Sequence, residues 1–197
     1  MAVGDDGTTA LLVVDVQNDF ADPAGSLFVR GADDVVAAVN REVGRAAEAG
    51  ALVVYTQDWH PERTPHFEKD GGIWPVHCVG GTWGSELHPG LRVEEDGEIV
   101  RKGTGGEDGY SAFSVRDPES GAVRATGLDG ILERRGAERV VIVGLATDYC
   151  VKETALDAAS RGLGATVVRD AVAAVDLEPD DGQRAIEEMT RAGVELD

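Results

Sequence analysis

Cys150 closes the segment GLATDYC, which leads from an apolar strand pattern into a helical one. A thiol there sits near a helix N-terminus. The dipole and unpaired N–H groups of that end lower a thiol's pKa and make it a better nucleophile. The same amides can hold an oxyanion. A free cysteine is ordinarily a small buried core residue; the position at the carboxyl end of a strand is what favours the nucleophile. Lys102 stands out because the chain uses arginine almost everywhere, its only lysines being Lys69, Lys102 and Lys152. A compact charge with an adjustable pKa suits an active site better than a planar guanidinium, although a lone lysine is more often a solvated strand end. Asp15 ends the apolar run of LLVVDVQNDF. It must be paired or hydrogen-bonded to stay ionised, and it would take the thiol's proton with Lys102 tuning both. Turn or cap aspartates are common at such places, and Asp19 in the same segment has that role.

A second constellation is Asp58-Trp-His60, followed by His66 and His77. An aspartate and a histidine two apart, with further histidines behind, suit a divalent metal of borderline softness: zinc first, with iron and manganese as alternatives. One or two substrate-binding histidines is the competing reading. Three histidines within one 18-residue stretch favour the metal. Cys78, next to His77, is either a soft ligand or simply buried, and His88 in LHPG reads as a turn residue.

The elements that must position these groups alternate in type. Strands are expected at ALLVV (10–14), ALVVYT (51–56), EIVRK (98–102), RVVIVG (139–144) and ATVVRD (165–170), with a short sixth at 194–196. Helices are expected at 33–50, with Asp33 or Asp34 as cap and Gly50 as stop, and at 128–136, 150–162 and 181–193. Apolar strands between amphipathic helices give an α/β fold: a three-layer α/β/α sandwich on a mostly parallel sheet of about six strands. At 197 residues the chain is expected to be a single domain, 1–197. Ligands of such sheets bind beyond the carboxyl ends of the strands, so Asp15, the Asp58/His60 pair, Lys102 and Cys150 are expected along one edge. The irregular stretch from Gln57 to about Ile99 holds all four histidines and all three tryptophans, and a segment that long is usually functional.

Composition narrows the partners. With 42% hydrophobic and 28% charged residues, the chain can bury a core, which excludes disorder as its main state. The net charge of −19 disfavours nucleic acid and anionic membrane surfaces and does not repel a small neutral ligand. No apolar run approaches the roughly 18 residues of a membrane span, and the first residues lack a basic leader with a long apolar stretch. A cytoplasmic protein with two free thiols is expected.

Read together, VVDVQNDF with GSL at 25–27, DWH with HF at 66–67, WPVHCVGGTWGSELHP, KGTGGEDGYSAF and VGLATDYCVKETALDA resemble the nicotinamidase branch of the isochorismatase-like hydrolases, over nearly the whole chain. The resemblance implies a catalytic triad of Asp15, Lys102 and Cys150. It implies one divalent metal ion held by Asp58, His60 and His77; His66 matches a further metal-side position that not all members use directly. It implies a cis peptide bond before Ala146 and an oxyanion hole from the Ala146 and Cys150 amides. Phe20, Trp74 and Tyr110 match aromatic positions around the substrate ring. The implied reaction is deamidation of a small-molecule amide, nicotinamide, through a thioester, with pyrazinamide also accepted. Another amide or carbamoyl hydrolase of the superfamily and a non-catalytic ligand-binding member are the alternatives, and isochorismatases proper are further off. Relatives often self-associate, so a homo-oligomer is an expectation. Two places depart from the family pattern: Trp83 stands where many relatives have a small residue or proline, and the polar loop 117–127 differs.

Overall fold

The computed structural model describes residues 7–197. The leader expectation concerns, in part, residues 1–6, which lie outside the described residues. The elements run β1 (Thr9–Val14), α1 (Asn18–Ala21), α2 (Ala32–Glu48), β2 (Leu52–Asp58), β3 (Glu98–Lys102), β4 (Ser114–Arg116), β5 (Val123–Ala125), α3 (Leu128–Arg135), β6 (Arg139–Leu145), α4 (Lys152–Ser160), β7 (Gly164–Ala173), α5 (Asp181–Arg191) and β8 (Glu195–Leu196). The main sheet has the order β3-β2-β1-β6-β7-β8, and every pairing in it is parallel.

Side chains alternate across a strand, so a parallel sheet buried on both sides needs apolar residues at odd and even positions alike. Leu11, Val13, Val53, Tyr55, Val141 and Val143 pack on one side with the apolar stripe of α2. Ala10, Leu12, Val14, Leu52, Val54 and Ile142 pack on the other with Leu128 and Leu132 of α3, Ala155 and Ala158 of α4, and Met189 of α5. Each fully buried aliphatic contributes roughly 1.5–3 kcal/mol. The three-layer sandwich is therefore as expected, with α2 covering one face and three helices the other. Strand order reverses between β1 and β6, and a crevice opens beyond the carboxyl ends at such a reversal.

Local details differ from the sequence expectation. Neither Asp33 nor Asp34 caps α2: the cap position is Gly31 in a left-handed conformation, and both aspartates lie in the first turn, where their charge faces the helix dipole. Cys150 lies in a π-helical turn, Thr147–Val151, that precedes α4. The polar loop 117–127 leaves β4 and returns as β5, which pairs with it as an antiparallel hairpin. β7 outruns its predicted end because its register with β6 shifts between Ile142 and Gly144, which brings Ala173 opposite Leu145. Gly144 permits that irregularity: its φ is +114°, and a Cβ there would meet the Val14 carbonyl oxygen at 2.1 Å. Gly144→Ala is accordingly expected to cost about 2 kcal/mol or more, seen as a drop of several degrees in melting temperature. No helix among the described residues is long and apolar enough to cross a membrane.

Candidate active site

Asp15 is the first residue beyond β1, with a left-handed φ of +49° that aspartate tolerates better than most residues. The Thr56 hydroxyl, one strand over, donates to its Oδ1 at 2.6 Å and accepts the Asp15 backbone N–H at 3.1 Å. Lys102 ends β3 on the far side of β2, and its Nζ donates to Asp15 Oδ2 at 2.6 Å. It also donates to the carbonyls of Gly109 and Tyr110, and stands 3.9 Å from Asp58 Oδ1. Asp15 and Lys102 are both fully buried. The Cys150 thiol comes from the other side of the strand reversal and lies close enough for Lys102, Asp15 and Asp58 all to act on its charge. Three side chains that the sequence separates by up to 135 positions thus meet at one edge, as topology predicted.

The electrostatics correct one expectation. The helix end was expected to lower the thiol's pKa, yet burial pushes Cys150 well above the ordinary range, and Asp15 and Asp58 add to the rise against the pull of Lys102. Loss of water outweighs a dipole that acts across a single turn. Burial also raises the Asp15 carboxyl, with Lys102 opposing. Burial acts on Asp58 in the same direction, but Lys102 and His60 hold that carboxyl well below its usual value. Lys102 itself keeps its proton: burial favours the neutral amine, and Asp15, Cys150 and Asp58 overrule it. One ammonium thus serves two carboxylates, and Asp15 is the one left with appetite for a proton.

Next to this group lie the histidines. Asp58 Oδ2 is 3.4 Å from His60 Nε2 and 3.7 Å from His77 Nε2. One ligand atom from each of His60, His66 and His77 lies within 4.8 Å of the others. His66 Nδ1 is 2.6 Å from Asp108 Oδ1, and His77 Nδ1 is 2.7 Å from the Pro75 carbonyl. Both acceptors hold the ring proton on Nδ1 and leave the Nε2 lone pair free, the usual support of a metal-binding histidine. Burial lowers the pKa of His66 despite Asp108, so its imidazole is neutral. Both ring nitrogens of His60, and Asp58 Oδ1, are buried with no hydrogen-bond partner. Orphaned donors and acceptors of that kind are costly, and a cation would satisfy them. These residues fit a divalent metal ion. Cys78 is not among them; it is fully buried, with Sγ 3.7 Å from the Gly84 carbonyl. His88 is the turn residue expected, accepting the Gly90 N–H.

Between thiol and histidines runs a cleft bordered by Asp58, His66, His77, Ala146 and Cys150. Phe20, Trp74 and Tyr110 all line it, and so do Leu27, Val29, Leu145, Tyr149 and Val175, which the sequence did not single out. Trp74 Nε1 donates to the Tyr110 hydroxyl at 2.9 Å, and Tyr149 meets the Trp74 ring edge-on at 4.9 Å. The Leu145–Ala146 peptide bond is cis, as the resemblance implied. Trp83 is half-exposed and does not border the cleft.

Gln17 was passed over in the sequence although it is fully buried. Its side-chain amide accepts the Asp58 N–H at 2.8 Å and donates to the carbonyls of Asp58 and Ser85. It fixes the backbone of the metal-side carboxylate; only its place inside VVDVQNDF signalled it. Asp19 has the structural role expected, accepting the N–H groups of Ser26 and Cys78.

Comparison with known proteins agrees with the geometry. The isochorismatase domain family matches residues 9–196. The nicotinamidase of Acinetobacter baylyi is 40% identical over 203 residues, covering 94% of this chain and 90% of its own. The crystal structure of the pyrazinamidase of Pyrococcus horikoshii in complex with zinc is 41% identical, with a TM-score of 0.86 over 96% of this chain and 98% of that one. PnC1 from L. infantum in complex with nicotinate gives 0.87 at 37% identity, over 100% of this chain and 95% of that one.

Proposed function

The chain belongs to the isochorismatase family and deamidates nicotinamide to nicotinate and ammonia, and we propose that Asp15, Lys102 and Cys150 carry out that reaction. The observation that carries the proposal is the meeting of a carboxylate, an ammonium and a thiol at a cleft whose other end holds a metal-type cluster. Asp15 takes the proton from Cys150 as sulfur bonds to the carboxamide carbon. Because the resting thiol holds its proton firmly, transfer and attack are coupled, and no standing thiolate is needed. The developing oxyanion rests on the amides of Ala146 and Cys150, worth roughly 3–4 kcal/mol for each donor. The C–N bond breaks as Asp15 returns the proton to nitrogen, and ammonia leaves. Water then gives a proton to Asp15 and adds to the thioester; the C–S bond breaks and sulfur regains its hydrogen. Lys102 balances the charge of Asp15 throughout. Phe20, Trp74 and Tyr110 hold the ring.

Asp58, His60, His66 and His77 would hold one divalent ion, zinc by the example of the Pyrococcus relative, which supplies Lewis acidity for orienting the pyridine nitrogen. Asp58→Ala is expected to lose bound metal and most substrate affinity. Elemental analysis finding wild-type metal content would refute the ligand set.

The match over 9–196 and two cores sharing one sheet support reading 1–197 as one domain. Cytoplasmic placement is supported by the free thiols of Cys78 and Cys150, which stay reduced there. An ammonia-release assay tests the reading: nicotinamide and pyrazinamide are turned over and a carbamoyl compound is not. Release from the carbamoyl compound alone would point to another branch of the superfamily, and release from none to a binding protein.

A further inference from the structure

Asp148 shares the π turn with Cys150 but does not border the cleft, and the proposed reaction makes no use of it. It is buried. Its two oxygens accept two consecutive backbone N–H groups: Val175 on Oδ1 at 3.0 Å and Asp176 on Oδ2 at 2.9 Å. Those residues follow β7, whose shifted register has just set Ala173 beside Leu145. Val175 forms part of the cleft wall with Leu145. Asp176 takes a left-handed φ of +52°, and its own Oδ1 accepts the Gly182 N–H in the first turn of α5. The segment after β7 is therefore gripped twice, and the grip nearer the cleft comes from the turn that carries the nucleophile.

We propose that Asp148 is a positioning residue that sets the apolar Val175 wall of the substrate cleft at a fixed distance from Cys150. The physical argument is one of shared reference. The cleft walls hold the substrate ring in the ground state and the transition state alike, so a wall that drifts loses binding common to both, which raises KM and leaves kcat little changed. A wall hung from a separate loop would drift relative to the sulfur. A wall tied to the nucleophile's own turn by two hydrogen bonds moves with it. Charged acceptors make these bonds stronger than neutral ones, and that favours aspartate over asparagine at this position.

This inference rests on the deamidase reading. The test is steady-state kinetics on nicotinamide with metal-loaded Asp148→Ala and Asp148→Asn. Active sites are counted by alkylation with iodoacetamide at alkaline pH, since the Cys150 thiol borders the open cleft whereas Cys78 is fully buried and does not. The expected result is a KM raised about tenfold or more in Asp148→Ala and less in Asp148→Asn, which keeps one acceptor oxygen. The kcat per titrated thiol should stay within about threefold of wild type. Val175→Ala should raise KM in the wild-type background and add little in Asp148→Ala, since the wall is already loose there. An unchanged KM with fewer titratable sites or a lower melting temperature would reduce Asp148 to a folding role and overturn the inference. A fallen kcat with unchanged KM would do the same, placing the effect on the nucleophile. If Asp148→Ala does not fold, Asp148→Asn and the Val175→Ala comparison still decide. Failure of the wild-type enzyme to release ammonia would sink the deamidase reading, whereas normal wild-type turnover with unaltered KM in both variants sinks this inference alone.

Discussion

Cys150→Ala is expected to lower kcat/KM for nicotinamide by on the order of 10⁴-fold or more, while metal content stays at the wild-type level. The size follows from the lack of a substitute. The other thiol, Cys78, is fully buried and does not border the cleft. The Asp15 carboxylate is held by Thr56 and Lys102 and is placed to move protons rather than to form a carbon bond. His60, His66 and His77 belong to the metal-side cluster. Without sulfur no thioester forms, and only direct attack by water remains. Ammonia release measures the first half of the expectation and elemental analysis the second. Release at the wild-type rate would remove sulfur from the mechanism.

Lys102→Met should damage both catalysis and the fold. The Lys102–Asp15 pair is completely buried, and deleting one member of such a pair leaves a charge with no water and no partner, at a cost of about 3–5 kcal/mol. Two carboxylates, Asp15 and Asp58, would then face each other with no ammonium near. Asp15 would answer by holding its proton, and a protonated Asp15 cannot receive the thiol's. A loss of about 10²- to 10⁴-fold in kcat is expected on that account. The double variant Lys102→Met/Asp15→Asn separates the two effects: it should regain part of the lost stability, since the stranded charge is gone, but no activity. Denaturant unfolding and ammonia release, run side by side, check this. Equal stability of Lys102→Met and wild type would show that the pair is not buried as described.

Much of this was legible in the sequence, because the strands are nearly pure runs of β-branched and aliphatic residues between helical stripes. Reading the carboxyl end of each run located Asp15 just after the first, Lys102 at the end of the third and Cys150 at the end of the segment after the fourth. Where reading failed, the cause was tertiary or very local. The β4–β5 hairpin is only three residues a side, and Val123–Ala125 is exposed, so it carries no periodic signal. Gly31 and the first turn of α2 show that aspartates near a helix start need not cap it. The sign of the Cys150 shift depends on how completely the sulfur is removed from water, and no local motif contains that. Gln17, Thr56, Asp108 and Tyr149 act by reaching partners 41 or more positions away, so spacing along the chain could not single them out.

The place where strand order reverses has one more consequence. Asp15 and Lys102 come from the stretch that ends with β3, and Cys150 from the stretch that begins with β6, and the two are joined edge to edge by the β1–β6 ladder. A chain nicked between β4 and β5 would leave two fragments, neither of which owns a complete catalytic set. Turnover would then report whether that seam is zipped, so the enzyme could serve as a split reporter of its own reassembly.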